Sequence, residues 1–130
     1  MNDYPKENVK QVTHRLKSLA GQLQALINAL QKSEVPEKIH HQILSCEKAL
    51  NAAKNDLFDE VYRKLLAAKM SQLKEKCPGD CGNEDQIDQF LIDFPNLSQD
   101  QLLKKIKETN LLDKAVNEYL ARKPLPSIKK

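Results

Sequence analysis

Val9, Val12, Leu16, Leu19, Leu23, Leu26 and Leu30 recur at spacings of 3, 4, 3, 4, 3 and 4 residues. That alternation lays one apolar seam along a helix of about seven turns. Gln11, His14, Arg15, Lys17, Gln22 and Gln24 are left on the polar side. A strand cannot use such spacing, because its side chains alternate every second residue. So long a helix with one greasy side needs partners, from the same chain or from another copy. At 1.5 Å per residue the seam runs about 33 Å, more than two shorter helices can cover fully. The uncovered remainder predicts homo-oligomerisation through this Leu seam. Gly21 lies within the helix at a cost of about 1 kcal/mol relative to Ala, unless a neighbour packs close there.

Ser33-Glu34-Val35 breaks the pattern, and Pro36 opens a second helix, where its missing N–H would be unpaired anyway. Ile39, Ile43, Cys46, Leu50 and Ala53 follow at spacings of 4, 3, 4 and 3. Lys54-Asn55-Asp56 reads as a turn capping a third helix, with Leu57, Val61, Leu65 and Ala68 on one face. The expectation is an all-α chain beginning with an antiparallel three-helix bundle over residues 6–74. A Cys- and Gly-containing linker spans 75–86. Ile87, Phe90 and Leu91 mark a short helix that stops at Phe94-Pro95, because a residue before proline avoids the α region. Ser98 and Gln101 fit a capping box ahead of Leu102, Leu103 and Ile106. Asn110 is expected to cap a last helix carrying Leu112, Ala115, Val116, Tyr119 and Leu120. Residues 87–123 thus read as a small three-helix unit, and 124–130 as a flexible tail.

The chemistry of catalysis is missing. Three glycines and neither GxGxxG nor GxxxxGK[ST] exclude a Rossmann or P-loop enzyme. No Ser/His/Asp or Cys/His constellation and no buried carboxylate pair stand out, so neither enzyme activity nor a cofactor is expected. Three cysteines make no disulfide framework. Cys77 and Cys81 read as linker cysteines, with a redox-formed loop disulfide and metal binding as the less favoured readings, and Cys46 as a core residue. His40 and His41 read as a solvated pair, and no metal site is expected. Arg63, Lys64, Lys69, Lys74 and Lys76 read as complementing a helix C-terminus, with a nucleic-acid or acidic-partner surface as the other reading. No apolar run approaches the roughly 18–20 residues that cross a bilayer, and the N-terminus has no signal h-region. A cytoplasmic or nuclear protein is expected. The net charge of +3 is too mild to imply nucleic acid by itself.

The C-terminal third resembles a CUE domain, the ubiquitin-binding relative of the UBA fold. The likeness runs through Phe94-Pro95, Leu97-Ser98, Leu102, Ile106 and Leu112 to Asn117, ending at Tyr119-Leu120. It implies an apolar docking patch of Phe94, Pro95, Tyr119 and Leu120, with ubiquitin as the partner. Asp93 stands where that family places an exposed methionine. The N-terminal half is similar to the helical bundle shared by the steroid receptor RNA activator protein and the C-terminus of a vesicle outer-coat subunit. Arg15-Leu16, the Leu seam, Pro36 and Ala53 to Leu57 carry that likeness.

The same half also looks like the copper-sensing repressors of bacteria. His14-Arg15-Leu16-Lys17, Gly21-Gln22-Leu23, Gln42-Ile43 and Ala49-Leu50 fall in that family's register. This resemblance implies nucleic-acid contact through Arg15 and Lys17. It places the family's metal-binding Cys, His and Cys on Pro36, Val61 and Leu65, none of which can ligate a metal. The first expectation is therefore a non-enzymatic protein-interaction module or adaptor, with ubiquitin the implied partner. The alternative is a DNA-binding, repressor-like bundle that has lost metal sensing.

Overall fold

Every regular element is helical in the computed structural model, which describes residues 4–122. The tail expected over 124–130 lies outside the described residues. The chain divides into two compact units, Met1–Lys64 and Leu65–Lys130.

In the first unit, α1 (Lys6–Gln31) ends in a Schellman closure. Glu34 N–H donates to the Ala29 carbonyl and Ser33 N–H to that of Leu30, both at 3.1 Å. Ser33 takes the left-handed conformation (φ 55°) that this closure demands. Pro36 then sits in the first turn of α2 (Pro36–Asp56). The short connection folds α1 and α2 into an antiparallel hairpin.

The expected turn at Lys54-Asn55-Asp56 is absent. Helix continues from α2 through a π-helical segment (Leu57–Tyr62) into α3 (Arg63–Lys76). Neither Gly nor Pro occurs between Pro36 and Cys77. Asn and Asp inside a helix cost only about 0.7 kcal/mol each relative to Ala. The antiparallel three-helix bundle is corrected accordingly: the first unit is a hairpin. Within the π segment Phe58 meets Tyr62 edge-on, with ring centroids 5.2 Å apart, and the Tyr4 ring lies tilted against Tyr62 at 6.1 Å. Burial, then the neighbouring Tyr4, raises the Tyr62 hydroxyl above its ordinary pKa.

The seam of α1 resolves into two heptad rows. Val12, Leu19 and Leu26, seven residues apart, turn inward, the first two buried and Leu26 half-buried. Leu16, Leu23 and Leu30 stay 45%, 43% and 58% exposed. The second helix repeats this division. Ile39, Cys46 and Ala53 are covered to increasing degree, whereas Ile43 and Leu50 are exposed. One row per helix suffices to close a two-helix contact, so the other has no partner inside the hairpin. Gly21 stays helical although nothing lies within 4 Å of where a Cβ would stand, so close packing is not its reason.

The second unit has Leu66, Met70 and Leu73 of α3 in its core. α4 (Glu84–Asp93) adds Ile87 and Phe90, and α5 (Gln99–Arg122) adds Leu102, Leu112 and Val116. A 3₁₀ turn (Phe94–Asn96) ends α4 where Pro95 requires it. The capping box forms: Ser98 N–H donates to Gln101 Oε1 at 2.9 Å, and Gln101 N–H to Ser98 Oγ at 3.3 Å. Asn110 does not start a new helix. Residues 99–122 are one helix with no Gly or Pro, Thr109 Oγ1 bonds back to the Lys105 carbonyl at 2.8 Å, and Asn110 accepts from Lys69 Nζ at 2.7 Å. The expected CUE-like trio of short helices is thus a short helix, a 3₁₀ turn and one long helix.

Candidate nucleic-acid interface

The first half of α1 holds Lys6, Lys10, Arg15 and Lys17 against the single carboxylate of Glu7. Lys10, His14 and Lys17, at i, i+4 and i+7, share one solvent-facing edge with Val9 and Thr13. Around the helix from it, Lys10, His14 and Arg15 wall a groove of about 600 Å³ closed on the far side by Ala49 and Asp56 of α2. Arg15 Nε donates to the Asp56 carboxylate, 41 residues away in sequence. Both side chains remain partly solvated, 49% and 26% exposed. A pair so exposed adds only about 0–1 kcal/mol to stability, and its chief effect is to hold the guanidinium at the groove mouth. Near the open end of the hairpin, buried Asn8 donates to Glu60 at 3.3 Å and accepts from Lys64 Nζ at 3.0 Å.

The sequence alone singles out Arg15 and Lys17 as contacts, places His14 beside them without a contact role, gives Lys10 none, and offers Asp56 only as a cap. The i, i+4, i+7 spacing was the available signal for Lys10 and His14. Asp56 could be recognised only once α1 and α2 were known to lie antiparallel.

Four of the other cations named from sequence, Arg63, Lys64, Lys69 and Lys76, are engaged within the chain. Arg63 pairs with Asp59 at 3.3 Å and Lys64 with Glu60 at 3.4 Å. Lys76 bridges from α3 to Asp113 at 2.9 Å and Asn117 at 3.1 Å on α5. Among the residues of the expected docking patch, Phe94 and Tyr119 are half-buried, while Pro95 and Leu120 are exposed. Asp93 accepts from Gln89 Nε2 at 3.0 Å. His40 and His41 are exposed, and Cys46 is buried as its place on the stripe requires.

This is an all-α protein built on an antiparallel helical hairpin. The family model of the metal-sensitive transcriptional repressors matches residues 8–91, and the chain belongs to that family. Searches of the curated proteins and of the solved structures find no match. The family assignment favours the repressor reading over the ubiquitin-binding one. Among the described residues no helix is long and apolar enough to cross a membrane.

The positions at which the resemblance places the family's metal ligands do not fit a metal. Pro36 has no donor side chain and serves the first turn of α2. Val61 is wholly buried hydrocarbon and Leu65 is 7% exposed. A soft metal needs thiolate or imidazole there. Among the described residues no group of three or more His, Cys, Asp and Glu is arranged to hold an ion. A Cys77→Ser/Cys81→Ser variant is therefore expected to leave a chromophoric copper(I) chelator fully loaded in a competition titration. Stoichiometric loss of the chelator's colour would contradict this.

Proposed function

We propose that the chain is a DNA-binding transcriptional regulator that acts as an oligomer and has lost metal sensing. What carries the reading is the run of cations in the first half of α1, Lys10 and Lys17 on one edge and Arg15 at the groove beside it, in a chain of the repressor family. Lysine and arginine on a rigid helix supply phosphate contacts whose release of counterions drives binding. One hairpin offers few such contacts, so useful affinity requires several copies acting together. The outward rows of α1 and α2 supply the means: Leu16, Leu23 and Leu30, with Ile43 and Leu50, form the surface on which a second hairpin packs. Burying those five side chains stabilises the pair at about 25 cal/mol per Å² of apolar area.

The test is repeated selection of the full chain against a pool of random-sequence duplexes. Enrichment of one sequence class is expected. A pool left unchanged after several rounds would refute DNA recognition.

A further inference from the structure

The loop between α3 and α4 brings two thiols together. Cys77 follows the last residue of α3, and Cys81 lies three residues before α4 begins. Gly79 (φ 93°), between the two cysteines, and Gly82 (φ 88°), directly after them, take backbone conformations that only glycine adopts without strain, and Gly79 turns the intervening chain. Cys77 Sγ and Cys81 Sγ consequently stand 3.0 Å apart. A covalent S–S bond is about 2.05 Å long, so the sulfurs need to close only about 1 Å to bond. Both cysteines are half-exposed and open to a small oxidant, whereas Cys46 is buried in the other unit. No third ligand completes a metal site among the described residues.

We propose that Cys77 and Cys81 form a reversible intramolecular disulfide by exchange with a small-molecule disulfide, a modification independent of the DNA-binding reading. One thiolate attacks the small disulfide, releases one thiol and leaves a mixed disulfide on the protein. The second thiolate displaces the remaining half. The protein loses two electrons and two protons, and the small disulfide is reduced to two thiols. The new bond ties the end of α3 to the start of α4.

The surroundings set the rate. Burial, the hydrogen bond with Cys77 and the nearby Glu84 carboxylate push the Cys81 thiol above its usual pKa, against a lowering by backbone at Asn83. Glu84 Oε1 lies 3.7 Å from its sulfur. The thiolate is the reacting form, so exchange accelerates as pH rises. Glu84→Gln removes a neighbouring negative charge and accelerates it near neutral pH.

Incubating the full chain with glutathione disulfide tests this, read by intact mass and by mapping of alkylated peptides. The expected product is lighter by two hydrogen atoms, with Cys77 and Cys81 protected together and Cys46 still alkylated. Cys77→Ser is expected to stop at a stable glutathione adduct on Cys81. Persistent adducts on both cysteines, unreacted thiols, or a link to Cys46 would overturn the proposal.

Discussion

Leu23→Asp is expected to reduce the sedimenting species to a single 14.8 kDa chain while the far-ultraviolet dichroism stays unchanged. Leu23 is 43% exposed in the hairpin, so a carboxylate there costs the isolated chain little. In an assembly through the outward rows the same carboxylate must leave water, at several kcal/mol per ion, and it does so once per copy. Two such losses raise the dissociation constant by on the order of a thousandfold or more. Sedimentation equilibrium decides the matter. An unchanged assembly mass would mean that the outward row of α1 is not the contact surface.

The second large effect falls on Arg15. Arg15→Glu is expected to weaken duplex binding by about a hundredfold in a dimer, each copy losing about tenfold, roughly 1.4 kcal/mol, as a phosphate contact becomes a repulsion. The reversal also sets a carboxylate against Asp56, where the native pair holds the guanidinium. Thermal stability should hardly change, because an exposed pair contributes only about 0–1 kcal/mol. Asp56→Ala should give a smaller loss, since the cation remains but is no longer oriented. Gel-shift titrations of the three proteins separate these cases, and equal binding by wild type and Arg15→Glu would remove Arg15 from the interface.

What could be read from sequence follows the strength of the local signals. The 3-4 spacing along α1 and the proline at 36 are unambiguous, and both helix starts lie where those signals put them. Pro95 and the Ser98–Gln101 box likewise carry their own stereochemistry. The turns expected at 54–56 and at 110 rested on Asn and Asp alone. Those residues favour caps but cost a helix less than 1 kcal/mol, and continuous apolar register on either side outweighs them. Losing those two turns removed the three-helix bundle and the CUE-like unit together. The cationic run of α1 was half visible: Arg15 and Lys17 carried the resemblance, while the role of Asp56 depends on a fold that brings residues 41 apart in sequence into contact.

The most direct test of a hairpin oligomer gripping DNA through the first half of α1 is the salt dependence of its affinity for an enriched duplex. Lys10, Arg15 and Lys17 from two copies make six phosphate contacts, so log affinity against log salt concentration should fall with a slope of about −5. A slope between 0 and about −1 would mean that these cations do not meet phosphates, and it would contradict DNA binding through this surface.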